Sequence, residues 1–341
     1  MSQTVGLIVN PVAGRDIRRL TGGASVSSNY AKRRTATCAL EGLTVTDDIE
    51  VLVMPDNAGL ADRIVTGAPD DLAVNLLDMT VTATGEDART AAERFAAEAD
   101  AVVVLGGDGT NRDVAHGIGD VPVVSISTGT NNVVPTPVDG TVAGVAAGVV
   151  ATEAIPTDEA TVRHGSVEGV VDDGTGVRRI RGLATLGVLD RQFVGTRAIL
   201  DPEDIIGGVV SRASPTEIGL PGIAGGLAVH RPDDPGGVGF RLEAKGERED
   251  RDESRNRGRK VRAVTVPGVV STVSVEEHRV LDDGEAFEFD VSSGVISADG
   301  ERELEVRDAA VRLRPVADGP RLVRIERVVE RAASEGYFGV E

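Results

Sequence analysis

Tryptophan is absent from this 341-residue chain, and two tyrosines and six phenylalanines make up all its aromatic side chains. Proteins that hold single strands need a series of stacking platforms, so nucleic acid is not expected as a partner. Positive charge is also short: 36 Lys and Arg face 55 Asp and Glu, a formal charge of -19. A field of that sign repels phosphate backbones and anionic bilayers, and no membrane partner is expected either. Lysine is nearly missing, reduced to Lys32, Lys245 and Lys260. An acidic, lysine-poor surface has its self-repulsion screened over about 3 Å near 1 M salt, and its carboxylates hold hydrated cations. The chain therefore reads as halophilic, the alternative being an ordinary acidic protein. The single cysteine, Cys38, can form neither an internal disulfide nor a metal cluster, which fits a reducing, cytoplasmic setting. It reads as a small buried hydrophobe. No apolar run approaches the roughly 18 residues of a membrane span. The opening stretch from Met1 to Asn10 is too short in its apolar part for a signal peptide and reads as a first buried strand.

The length exceeds that of most single domains, and 40% apolar residues can fill two cores. Up to about residue 153 short apolar runs alternate with amphipathic stretches, the pattern of a parallel sheet with flanking helices. Strands are expected at 5–9, 50–54, 101–105 and 121–126. Glu86 to Ala99 is the clearest helix, with Ala88, Ala91, Ala92, Phe95 and Ala99 at spacings of three and four. Weaker helical patterns cover 57–65, 111–117 and 140–150; the last is so rich in Gly and Ala that close packing on the sheet is expected. From 154 to 310 the chain turns to Val- and Gly-rich alternating segments with Asp-Gly turns at Asp173-Gly174, Asp283-Gly284 and Asp299-Gly300, predicting a mainly β domain. Within it, Asp201 to Ser211 reads as a lone helix with Pro202 in its first turn. Residues 243–260 carry almost no apolar side chain and read as a mobile, salt-exposed loop. Arg321 to Gly336 places Leu322, Ile325, Val328, Val329 and Ala332 on one face, a closing amphipathic helix.

The chemistry concentrates where the apolar run Ala101–Leu105 meets Gly106-Gly107-Asp108-Gly109-Thr110-Asn111. A strand that stops in glycines and restarts as a helix can aim backbone N–H groups and a helix N-terminus at one point, which suits a phosphate. Asp108 would repel a bare phosphate, so it should face a metal ion bridging phosphates or the attacking hydroxyl. The alternative is an Asp-Gly turn that merely links strand to helix. No third glycine completes a dinucleotide fingerprint, and no Gly-Lys-Ser or Gly-Lys-Thr of a Walker loop occurs. One βα unit later, Thr128-Gly129-Thr130-Asn131-Asn132 follows another strand and offers hydroxyls and amides to a phosphate or ribose. In a parallel sheet both loops emerge at the same carboxyl edge, where ligands bind. Asn10, at the end of the first strand, reads as a third wall or simply as a turn former.

Taken together, the Gly-Gly-Asp-Gly-Thr core, the opening Asn10-Pro11-x-x-Gly14, the Gly129-Thr-Asn-Asn loop and Ser297-Ala-Asp-Gly-Glu-Arg-Glu303 resemble the NAD kinase and diacylglycerol kinase superfamily. More narrowly, the segments 191–198 and 218–225 resemble the ATP-NAD kinase-like, AcoX-like family. The resemblance spans nearly the whole chain. It implies an NAD kinase-like fold: an α/β nucleotide-binding domain (1–153), a β-rich domain (154–310) and a C-terminal segment (311–341) returning to the first domain. It also implies ATP as phosphoryl donor with Mg2+, Asp108 as the base or metal-side carboxylate, and Gly106, Gly107, Gly109 and Thr110 holding phosphates, while Asn10, Asn111, Thr128, Gly129, Thr130, Asn131 and Asn132 complete the candidates for binding nucleotide or phosphate. Asp299, Gly300 and Glu301 match a superfamily turn near the substrate, although the same residues alone make a hairpin turn.

One departure limits the substrate. NAD kinases carry an Asn-Glu pair early in the second domain, where this chain reads Leu183-Ala-Thr-Leu-Gly-Val-Leu-Asp190. Asp190, Arg191 and Arg197 are the polar groups expected to contact whatever replaces that anchor, since Arg pairs bidentately with carboxylate or phosphate; a salt bridge within the β domain is the alternative. The expected activity is an ATP-dependent kinase of a small molecule's hydroxyl, with the 2′-hydroxyl of NAD, giving NADP, as first candidate. The alternatives are another hydroxyl acceptor or a catalytically inactive nucleotide sensor. The expected partners are small-molecule nucleotides, in a homo-oligomer.

Overall fold

The computed structural model describes residues 2–12, 27–129, 132–190, 202–243 and 259–339. The described residues fall into two compact units, one within 2–12, 27–163 and 320–339, the other within 164–319.

The first unit opens with strand β1 (Gln3–Val9) and helix α1 (Asn29–Leu43). Then follow β2 (Ile49–Val53), α2 (Leu60–Thr66), β3 (Ala73–Leu76) and α3 (Glu86–Glu98). The next pair is β4 (Ala101–Gly106) and α4 (Asp108–Ala115), followed by β5 (Pro122–Ser127) and α5 (Gly140–Ala151). A single turn α6 (Thr157–Ala160) leads into β6 (Thr161–Arg163). The second unit runs through β7 (Ser166–Asp172), β8 (Val177–Gly182), β9 (Thr185–Leu189) and β10 (Ile205–Val210). It continues with α7 (Leu220–Gly225), β11 (Gly237–Leu242), β12 (Arg259–Val266) and β13 (Val269–Leu281). The long hairpin β14 (Phe287–Ala298) and β15 (Glu301–Val316) ends it. The chain then re-enters the first unit as β16 (Arg321–Val323) and α8 (Ile325–Ser334).

The first sheet has the order β3-β2-β1-β4-β5-β16-β6, parallel except for the last pair. Its central strands β1 and β4 are buried on both faces because helices cover both. Val5, Leu7, Val9, Val103 and Leu105 lie in a core with residues of α1, α2, α5 and α8. Ile8, Val102 and Val104 point the other way onto Ala88, Ala91, Ala92 and Phe95 of α3. The chain lays down β1, β2 and β3 outward to one side and then crosses to β4 and β5 on the other, so the direction reverses between β1 and β4. At such a reversal a crevice opens beyond the carboxyl ends of the two central strands.

The glycine-rich α5 does meet the sheet, through Ala143, Ala146, Ala147 and Val150. Its glycine edge does something else: a Cβ added at Gly140, Gly144 or Gly148 would collide with Thr35, Ala39 or Thr46, at or beside α1. Absent side chains thus let two helices nearly touch.

The second sheet is antiparallel throughout, in the order β12-β13-β11-β10-β9-β14-β15-β7-β8. Where a helix is expected over 201–211, Ile205–Val210 is strand β10. Only Pro202–Asp204 makes a 3-10 turn, and Gly207 and Gly208 sit so tightly against Phe240 and Leu186 that a side chain would not fit. Those glycines serve strand neighbours, which overrides the helical reading. The closing helix begins at Ile325, because Arg321 and Leu322 first pair in parallel with Pro122 and Val123. Most of the expected loop at 243–260 lies outside the described residues; Arg259 and Lys260 begin β12. Among the described residues no helix is long and apolar enough to cross a membrane.

Candidate active site

The first unit brings the ends of β1, β4 and β5 together. Asn10 donates through Nδ2 to Thr110 Oγ1 at 3.1 Å, and its Oδ1 accepts the amide of Val12 at 2.9 Å, closing the turn after β1. The Thr128 amide donates to the Gly106 carbonyl at 3.1 Å, tying the end of β5 to that of β4. These are short polar residues following apolar strands, placed by the sheet rather than by local propensity.

The β4–α4 junction has the geometry of an anion cradle. Gly106 must lack a side chain, since a Cβ would lie 2.5 Å from Thr110 Cβ. Gly107 occupies the N-cap with φ -106° and provides no capping side chain. The amides of the first helical turn have no intrahelical acceptor, so in the absence of a side-chain cap they are suited to an incoming anion at the positive end of the helix.

Asp108 is the first residue of that helix and only 4% exposed. Its carboxylate does not project into solvent. Oδ1 accepts the amides of Val133 and Val134, both at 2.9 Å, and Oδ2 accepts that of Val133 at 3.0 Å. The acidic residue that would repel a bare phosphate thus faces backbone donors of the loop after β5. Asn111 also has an internal role: Nδ2 donates to the Gly107 carbonyl at 2.9 Å, and Oδ1 accepts from Ser125 Oγ at 2.6 Å. At 2% exposure it pins α4 to β5 rather than lining the crevice. Asn132 Nδ2 donates to Ser127 Oγ at 2.7 Å, and Ser127 Oγ donates to the Gly129 carbonyl at 2.6 Å, which shapes the second loop. Thr130 and Asn131 lie outside the described residues.

Beside this cradle, on the far side of Asn10, a cavity of about 250 Å3 opens over the ends of β1 and β2 and the start of α3. Its walls include Pro11, Val12, Met54, Pro55, Val81 and Ala88. The acidic residues on its rim serve the backbone: Asp56 accepts the amides of Ala58, Leu60 and Ala61, and Asp87 those of Thr82 and Ala83. The sequence reading missed these walls, because their signal is an Asx-type turn and an apolar strand end, both common.

The remaining candidates lie in the second unit. Asp299 and Gly300 form the two-residue turn of the β14–β15 hairpin, with φ of 49° and 81°. This is the hairpin turn that those residues read as by themselves. The Asp299 carboxylate accepts the amides of Leu183 and Ala184, both at 2.7 Å, and of Thr185 at 3.0 Å. It organises the entry to β9, and Glu301 begins β15 beside it. Asp190 is exposed at the end of β9, and Arg191 and Arg197 lie outside the described residues. Among the described residues no three His, Cys, Asp or Glu side chains converge to hold a metal ion.

Comparison with known proteins adds three findings. Residues 5–154 match the ATP-NAD kinase N-terminal domain, and residues 169–318 the acetoin catabolism protein X C-terminal domain. The acetoin catabolism protein X of Cupriavidus necator is 35% identical over 317 residues, covering 89% of this chain and 85% of that protein. Among solved structures, yeast NADH kinase complexed with NADH gives a TM-score of 0.47 at 13% identity, over 100% of this chain and 89% of that one. A diacylglycerol kinase from Bacillus anthracis gives 0.34 at 13% identity, over 94% and 96%.

Proposed function

The chain belongs to the family of acetoin catabolism protein X and has the NAD kinase-like fold, and on that premise we propose that it is an ATP-dependent kinase of a small-molecule hydroxyl. The observation that carries the reading is the Asn10–Thr110 hydrogen bond. It joins the end of β1 to the first turn of α4, a helix start with no side-chain cap, across the reversal of strand order. Phosphoryl transfer asks little of a protein beyond positioning and charge stabilisation, and this crevice supplies both.

In this reading the first-turn amides of α4 hold the transferred phosphate, with Thr110 and Thr128 beside it. The neighbouring cavity is smaller than the roughly 300–1,000 Å3 of a drug-sized pocket, so it suits the donor's base and not a whole dinucleotide. Mg2+ would be held by Asp108 together with the phosphates of ATP and would supply charge neutralisation there. Asp108 receives the proton of the attacking hydroxyl on its carboxylate. The hydroxyl oxygen bonds to phosphorus as the bond to ADP breaks. The 2′-hydroxyl of NAD is the first acceptor to test, although the stretch 183–190 carries no Asn-Glu pair. The reading includes small-molecule nucleotides as partners of a homo-oligomer, and a cytoplasmic setting that the single cysteine supports.

A second reading, a nucleotide sensor without turnover, draws support from the amide bonds that already occupy Asp108. The two separate in one assay: purified protein with ATP, Mg2+ and NAD in molar KCl, read for NADP, then a screen of other hydroxyl acceptors read by ADP release. Turnover that Asp108→Asn abolishes while ATP still binds supports the kinase. Silence across the screen with ATP binding detected calorimetrically supports the sensor.

A further inference from the structure

We infer that Lys32 is a positioning residue of the phosphate crevice, and that α1 forms the crevice's remaining wall; the inference rests on the phosphoryl-transfer reading above. Lys32 is 1% exposed and lies one turn into α1. Its Nζ donates to the carbonyl of Asn10 at 2.9 Å and to that of Pro11 at 3.2 Å. At the start of the same helix the amide of Ser27 donates to the Thr128 carbonyl at 3.2 Å, and Ser28 Oγ caps the helix by accepting from Ala31. The first turn of α1 is therefore bonded to the end of β5 on one side and to the end of β1 on the other.

The chemistry points at an anion. Two carbonyl oxygens at the end of β1 would repel a phosphate if they faced it, and Lys32 draws both toward itself. That leaves the Asn10 side chain to reach Thr110 and the Val12 amide to close its turn. Burying an ammonium is costly, and an apolar side chain of equal length would fill the space without that cost. Lysine is also the rarer choice here. The chain carries its positive charge on arginine, and its other two lysines fall in the polar stretch 243–260. A compact ammonium can sit between two adjacent carbonyls, where a planar guanidinium fork does not fit the same geometry.

The test compares wild type, Lys32→Met and Lys32→Arg by calorimetry with ADP, pyrophosphate and adenosine, alongside melting temperature. The expected result for Lys32→Met is a rise of about tenfold or more in Kd for ADP and pyrophosphate, with adenosine unchanged. Lys32→Arg should recover part of the loss. Equal ADP affinity in Lys32→Met, or parallel loss of ADP and adenosine as a collapsed turn would give, overturns the inference. If Lys32→Met does not fold, Lys32→Arg decides alone: a few-fold loss restricted to the phosphate-bearing ligands supports it, and unchanged affinity overturns it. If the unaltered protein binds neither ADP nor pyrophosphate, the kinase reading itself falls and this inference with it.

Discussion

Asn10 and Thr110, a hundred positions apart, meet through a 3.1 Å hydrogen bond between side chains. The bond spans the place where strand order reverses, so it ties the end of β1 to the first turn of α4, the helix start that would grip a phosphate. Thr110→Val keeps the shape of the side chain and removes the acceptor. The half-buried Asn10 amide then loses a partner, at a cost of about 1 kcal/mol. We expect melting to change little and ATP affinity, measured calorimetrically, to fall by about tenfold. Thr110→Ser should restore it; a valine variant that binds ATP like wild type would remove this bond from the site.

Asp299 gives a prediction about folding, not turnover. Its carboxylate caps three successive amides while its own backbone sits at φ 49°. Asp299→Ala strips the amides of their acceptor and places a side chain with no local hydrogen bond in the left-handed region, each costing about 1–2 kcal/mol. Asp299→Asn tolerates that backbone, and its Oδ1 can keep the Ala184 and Thr185 amides. Urea unfolding should rank wild type above Asn above Ala. Were Asn as damaging as Ala, charge and not geometry would be the essential property.

Legibility of the fold followed the strength of the periodic signal. The strands around Val5 and Ala101 and the helix at Glu86 stood out because burial on both sheet faces, or on one helix face, writes itself into composition. Helix α1 did not stand out, since its buried residues include Gly42 and Lys32, neither of which marks an apolar stripe. Its partner Gly144 is glycine because another helix passes, information held some hundred residues away. The glycine-rich loop was found by its chemistry, yet the direction of Asp108 depended on the amides of Val133 and Val134, which any residue type but proline could supply. Gly207 and Gly208 misled for the same reason: their role lies in neighbouring strands.

The fully buried His164 should make the protein acid-sensitive. Burial pushes its imidazole from the ordinary 6.5 down to about 4, the nearby Arg212 adding to the effect and the Gly165 carbonyl opposing it. Nδ1 bonds to that carbonyl at 2.6 Å, and Nε2 has no partner, which is the arrangement of a neutral ring. A depressed folded-state value means the contribution is complete above pH 6.5. It declines as the unfolded chain alone takes up a proton, and is gone near pH 4 where the folded ring also titrates. At roughly 1.4 kcal/mol per unit this amounts to about 3 kcal/mol. His164→Asn keeps an N–H for Gly165 without the titration. Urea unfolding at two pH values should show a smaller loss between neutral and mildly acidic conditions for the variant; equal losses would place the acid sensitivity elsewhere.

Salt acts on the whole surface. The chain carries -19, and its ion pairs are largely at the surface, as with Arg89–Glu93 and Arg331–Glu335. Added KCl weakens such pairs, each worth about 0–1 kcal/mol at most, and also weakens the repulsion among the excess carboxylates. The carboxylates outnumber the cations, so relief of repulsion should win and the melting temperature should rise from about 0.1 M to about 3 M KCl. The shape of that rise separates two causes. Screening is nearly complete by about 1 M, where the Debye length is about 3 Å; a continued climb above that concentration reports hydrated cations held by the carboxylates. A melting temperature that is flat across the whole range would show that the acidic surface is not an adaptation to salt.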